Sequence, residues 1–198
     1  MGTVDAQSPK VGITAGLNVA GLTETGQDAG NYNVYRGGLH IGLVVDFAVN
    51  PNVSVIPELL YSQQGGGLSL TGTEGELQSL FLIDYVKLPV NLAYKFKIGN
   101  SSKLFVFAGP YVSYGIAAKL KTDVKYSTGE KESDNQDVKF GSAGDQLKAL
   151  DYGANLGAGV QLGKGFFKLQ YNLGMANLSN GDTTLKNKNI ALSFGYFF

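Results

Sequence analysis

The chain contains one histidine, His40, and no cysteine. Zero Cys removes thiolate zinc sites, disulfide staples and cysteine nucleophiles together. A single imidazole among scattered carboxylates does not assemble a transition-metal site. No loop has the twelve-residue ligand spacing of a calcium hand. His40 could serve as the base of an acyl-transfer enzyme, which needs a nucleophile and an orienting acid converging on it. Its own stretch, GGLHIGL, supplies neither, so the expected role is a hydrogen-bonded interior histidine. A second group comprises Glu58, Lys87, Asn91, Lys95, Lys168 and Gln170. Carboxylates and ammonium groups closed into an interior need partners. If residues 53–64 and 80–96 form a hairpin centred near Gly72, Glu58 stands opposite Lys87, and the expected network is that ion pair extended by the other four. No catalytic, cofactor-binding or metal-ligating residue is assigned, and no cofactor is implied.

The elements that must position these residues show period-two alternation, which sends successive side chains to opposite faces of a strand. Eight segments carry it: 11–20, 38–49, 53–64, 80–96, 103–118, 151–162, 166–175 and 189–198. In the first, Val11, Ile13, Ala15, Leu17 and Val19 oppose Gly12, Thr14, Gly16, Asn18 and Ala20; in the last, Ile190, Leu192, Phe194, Tyr196 and Phe198 oppose Asn189, Ala191, Ser193, Gly195 and Phe197. Segment 103–118 is apolar on both parities, so its faces stay open. The opposing face elsewhere is rich in Gly beside His40, Glu58, Lys87, Lys95, Lys168 and Gln170. Glycine weakens a water-facing strand but suits a cramped interior that other groups approach closely. The apolar face is therefore expected to point outward, into lipid.

Composition agrees. Charged residues are 16% of the chain, against about 25% for ordinary soluble domains, and Gly at 28 of 198 is roughly twice its usual share. Sixteen basic residues against sixteen acidic ones give no field for nucleic acid. The longest uncharged apolar run, 104–118, is 15 residues and contains Gly109 and Pro110, short of the about 20 that a membrane helix needs. The start, MGTVDAQSPK, lacks a basic region followed by an apolar one, so the chain reads as a mature form. Residues 1–9 are expected to be an N-terminal extension and 10–198 a single barrel domain.

Connections alternate short and long. Asn50-Pro51-Asn52, residues 97–102 and Gly163-Lys164-Gly165 are short; 21–37, 65–79, 119–150 and 178–188 are long. This is the asymmetry of an eight-stranded antiparallel up-and-down transmembrane β-barrel with short periplasmic turns, long extracellular loops and both termini periplasmic. Closure follows because lipid cannot satisfy an open sheet edge. Tyr61, Tyr85, Tyr114 and Tyr152 mark one interfacial girdle, and Phe47, Tyr94, Phe96, Phe167, Tyr196 and Phe198 the other. Eight strands leave an interior that side chains fill. In the 119–150 loop, the alternation of Leu120, Thr122, Val124 and Tyr126 predicts a hairpin beyond the bilayer, and 143–150 a helical turn or two.

Four stretches, PELLYSQQG (57–65), DYVKLPVNLAYKF (84–96), FVFAGPYVSYG (105–115) and DYGANLGAGVQL (151–162), together with a last strand ending in Phe198, resemble the outer membrane protein beta-barrel domain family often called PorT-like and typical of Bacteroidota. That resemblance implies an eight-stranded barrel in the outer membrane of a Gram-negative bacterium, with no family-wide catalytic activity and no functional residues to carry over. The terminal alternation Phe194, Tyr196, Phe198 is similar to the signal read by the barrel-assembly machinery. Expected partners are membrane lipid or lipopolysaccharide, that machinery during insertion, and an envelope protein met through the loops. The leading function is a non-enzymatic structural, adhesive or envelope-complex barrel. A small-solute or hydrophobic-ligand channel and a lipid-modifying enzyme stand as alternatives, and a soluble lipocalin-like carrier as an outsider.

Overall fold

A computed structural model describes residues 8–26, 34–72, 75–98, 101–128, 130–143 and 146–198. Nine strands occur among them: β1 (Lys10–Thr25), β2 (Val34–Ala48), β3 (Val53–Gly72), β4 (Gly75–Lys97), β5 (Ser102–Tyr126), β6 (Lys131–Asp137), β7 (Leu150–Leu162), β8 (Gly165–Gly174) and β9 (Thr184–Phe197). All pairings are antiparallel. Eight of the strands close a ring in the order β1-β2-β3-β4-β5-β7-β8-β9, with β9 returning to β1 and β4 to β5. The ninth, β6, pairs only with the distal part of β5 (Lys119↔Asp137 to Lys125↔Lys131) and lies outside the ring. It is the hairpin that the alternation of 119–126 predicts.

The apolar parity faces out on every ring strand. Leu17, Leu39, Leu59, Leu88, Leu156, Leu169 and Leu192 are all exposed, whereas the residues that alternate with them are buried or half-buried. Segment 103–118 also resolves: Phe105, Phe107, Tyr111 and Ser113 point inward, and Leu104, Val106, Val112 and Tyr114 outward. A bulge in β5, where Ile116 is the extra residue opposite Asp84 and Tyr85 of β4, sets the change of parity beyond Gly115. Along β9 the outward positions are apolar from Ile190 to Phe198 and become Lys188 and Lys186 above; along β5 they turn from Ile116 to Lys119 and Lys121. This apolar band fits the roughly 9–11 residues with which a tilted strand crosses a bilayer.

Three expectations change. Residues 65–79 do not form a long loop: β3 and β4 continue in register to Gly72↔Gly75, leaving only Thr73 and Glu74 between them. The Gly65-Gly66-Gly67 run hides the strand because glycine carries no alternation, yet it lies where Gly66 packs against the β1 backbone at Gly21 and Leu22. The described part of 143–150 is bends and isolated bridges, Phe140↔Leu147 and Leu147↔Ser179, rather than a helical turn. Tyr85 leaves the girdle: it shares the parity of Lys87 and is 1% exposed inside the barrel. Of the N-terminal extension, residues 1–7 lie outside the described residues, as do 27–33 of the first long connection.

The start of β1 and Phe198 lie together at the short-turn end. Gly163, in the left-handed region at φ 60°, makes the β7–β8 turn, and Phe198 N–H donates to Val11 O at 2.9 Å, tying the last residue to β1.

Candidate functional site

The inward parity builds a polar column through the barrel. His40, Glu58, Lys87, Asn91, Lys95, Lys168 and Gln170 are all buried there, as the alternation requires. Their pairing departs from expectation. Lys168 of β8 donates to Glu58 of β3 across the lumen, and Lys95 of β4 to Asp46 of β2. Glu58 does not hydrogen-bond Lys87, because the β3–β4 ladder runs in register to Gly72↔Gly75 rather than turning about Gly72. That register places Leu60 opposite Lys87, and Pro57 opposite Val90. Lys87 Nζ instead sits 3.7 Å over the ring of Tyr111, a cation–π contact. Tyr111 Oη donates to Asp151 Oδ2 at 3.2 Å. Three buried ammonium groups thus face three buried carboxylates, Asp46, Glu58 and Asp151, and the interior is electrically balanced.

Amides and hydroxyls connect the rest. Asn155 Nδ2 donates to Asn91 Oδ1 at 3.3 Å, and Gln170 Nε2 to Asn155 Oδ1 at 3.4 Å. Asn18 Nδ2 donates to Ser62 Oγ at 3.1 Å and to Gln63 O at 3.0 Å. Asn187 Nδ2 donates to Gln64 Oε1 at 2.7 Å. His40 is a hub: its Nδ1 lies 3.0 Å from Asn18 Oδ1 and its Nε2 2.9 Å from Ser193 Oγ. An amide oxygen only accepts, so Nδ1 carries the proton and Nε2 receives the serine hydroxyl. Gly16 makes room for this ring; a Cβ there would stand 2.6 Å from His40 Cε1 and 2.8 Å from Nε2.

Ser193, His40 and Asn18 follow the order of nucleophile, base and orienting group. All three are at most 4% exposed, within a lumen that other side chains fill. The residues that the sequence reading did not select, Asn18, Ser62, Gln64, Asp46, Asp151 and Ser193, carried the same signal as those it did, the polar parity of their strands. Tyr111 lies in the segment that is apolar on both parities and gave no such signal.

Apolar clusters seal the column at either end. At the short-turn end Val44, Ala93, Phe105, Phe107, Phe166 and Phe197 pack together with Ile56. The cavity among them and the charged pairs is about 20 Å³, close to the ~10–15 Å³ that admits one water. At the other end Leu22, Ile83, Tyr85, Ala118 and Leu185 meet Leu147 and Leu178 from the connecting segments, with Phe140 alongside. Lys148 N–H to Leu178 O at 2.9 Å and Asn180 Nδ2 to Gly141 O at 2.8 Å hold those segments over the mouth. Beyond this lid β3, β4, β5 and β6 project as a four-stranded sheet.

A closed ring with a lipid-compatible exterior and a packed polar interior defines an outer-membrane-type barrel. The chain belongs to the outer membrane protein beta-barrel domain family, whose model matches residues 6–180. No curated protein matches it. Among solved structures it is similar in fold to Ail, the attachment invasion locus protein of Yersinia pestis, crystallised with the heparin analogue sucrose octasulfate (17% identity, TM-score 0.46, covering 97% of this chain and 100% of that one). It is likewise similar to Neisserial surface protein A (9%, 0.46, 97% and 100%), and to the outer membrane enzyme PagL (14%, 0.43, 90% and 98%). The family places the protein in an outer membrane.

Proposed function

We propose that the protein is a non-enzymatic, non-conducting outer-membrane barrel that displays its protruding sheet and long connections to an envelope or extracellular partner. The observation that carries this reading is the lumen, packed throughout and covered by apolar residues at both ends, while the long-connection end extends well past the ring. A rigid scaffold holding loops and strands clear of the membrane is how binding surfaces are commonly presented. The buried state of Ser193, His40 and Asn18 supports a structural role for that chain over ester chemistry. The resemblance of the four stretches to PorT-like barrels favours a Bacteroidota source. The short-turn end, with both termini, is assigned to the periplasm, and lipopolysaccharide to the leaflet around the long connections. Phe194, Tyr196 and Phe198, all outward on the last strand, fit recognition by the barrel-assembly machinery.

The test is affinity purification from native outer membranes in mild detergent. One stoichiometric partner, lost when residues 120–136 are replaced by a short turn, is the expected result. Recovery of the same partner without that hairpin would reject the sheet as the contact, and a lipid change dependent on His40 would reject the non-enzymatic reading.

A further inference from the structure

The zero net charge conceals a segregation. At the short-turn end lie Lys10, Lys95, Lys97, Lys103 and Lys164, and the one described acidic side chain among them is Asp46. Lys10, Lys95, Lys97 and Lys103 occupy the lumen-facing parity of β1, β4 and β5, so they converge on the mouth instead of spreading around the rim. Lys97 and Lys103 are direct register partners, and like charges opposed across a ladder destabilise it. Asp46, the register partner of Lys10, is engaged by Lys95. Lys103 is repelled by Lys95, Lys10 and Lys97 and attracted by Asp46 alone. Among the described residues, Lys10, Lys97 and Lys103 form no ion pair. These lysines line a pocket of about 90 Å³ together with Ser8, Asn50, Ser54 and the Lys95–Asp46 pair, several times the ~10–15 Å³ that one water needs.

We propose that this mouth is a phosphate-binding site, in which Lys10, Lys97 and Lys103 hold one phosphate group and Asn50 and Ser54 supply neutral donors. A carboxylate would answer one of three uncompensated ammonium groups; a phosphate offers more charge and more acceptor oxygens, and lysine is a common point-charge binder of it. The group can come from an anionic phospholipid headgroup of the adjoining leaflet or from soluble phosphate. The site stands apart from the proposed partner surface at the opposite end and does not depend on it.

The full-length barrel, refolded in detergent, is titrated with inorganic phosphate by calorimetry, and its retention of phosphatidylglycerol against phosphatidylcholine is measured by native mass spectrometry. Retention of phosphatidylglycerol with weak phosphate binding assigns the lipid source; phosphate binding of comparable strength assigns the soluble one. Either supports the site if Lys97→Gln/Lys103→Gln weakens binding about tenfold or more, a change of about 1.4 kcal/mol. Lys121→Gln/Lys125→Gln, the same charge change at the far end, should leave it intact. Failure of both probes to bind, or equal weakening by the two double variants, overturns the proposal. In low-salt, phosphate-free buffer the Lys97→Gln/Lys103→Gln barrel should melt no lower than the parent; a lower melting temperature would make the lysines structural and would count against the site. Should the double variant fail to refold, Lys103→Gln alone carries the same comparisons.

Discussion

Lys168 and Glu58 are both nearly inaccessible, so their pairing matters through what its loss would leave behind. Removing one member of a buried ion pair strands a charge and typically costs about 3–5 kcal/mol, while replacing both with apolar residues of similar volume is often neutral. Glu58→Gln or Lys168→Met alone should therefore lower the urea midpoint of refolded barrel sharply, and Glu58→Leu/Lys168→Met should recover most of the loss; additive losses would mean the two side chains act separately. Gly16→Ala should push on the β9 backbone at Leu192 O and displace the His40 ring, because the added methyl falls against that oxygen and within 2.6 Å of Cε1. Its readout is loss of the Nδ1–H resonance that donates to Asn18, which an unmoved ring would retain. At this scale the sequence showed which side chains enter the lumen, since parity alone decides that. It could not show which of them touch: Glu58 finds Lys168 across the barrel, a contact between strands 110 positions apart, and no local spacing encodes the distance across a closed ring.

Among the elements, β6 is the one described strand outside the ring. Excising residues 120–136 should leave a heat-modifiable barrel band on unboiled gels; disappearance of that band would show the hairpin to be part of the folding unit. Its edge carries Glu132, Asp134 and Asp137, and charge on an exposed edge resists pairing with stray strands. Within the hairpin, Ser133 Oγ donates to Asp123 Oδ1 at 2.6 Å and Lys121 lies 2.9 Å from its other oxygen. The serine hydroxyl first, and the lysine second, hold the Asp123 carboxyl below the usual aspartate range. A lowered folded-state value stabilises the hairpin above the ordinary carboxylate pKa and is lost as pH falls through the lowered one. Amide exchange at β6 should rise on acidification below that range, and Ser133→Ala should move the rise to higher pH; an unmoved profile would remove Asp123 as its cause. Strand existence was legible throughout except at 65–67, where glycine erased the alternation; at 103–118 uniform apolarity hid the faces, not the strand. Turn positions were less legible, and a hairpin centred one residue later than expected, which shifts the register by two, was enough to break the foreseen Glu58–Lys87 pair.

For the molecule as a whole, the charge deficit and the glycine excess have one cause. Apolar stripes cover the outside of eight strands, and the crowded interior leaves small residues opposite large ones, as at Gly153, where a Cβ would come within 2.9 Å of Tyr111 Cε1. Architecture and membrane class were legible because a lipid-facing barrel imposes the same two-residue period on every strand. The sealing of the lumen was not, because it depends on Leu147, Leu178 and Phe140, which reach the mouth from connections without periodicity. That seal separates a display scaffold from a pore, and single-channel recording in planar bilayers tests it most directly. Inserted wild-type barrel should give current indistinguishable from protein-free membrane across the usual voltage range. Stable stepwise openings with ohmic current would contradict a filled and capped interior.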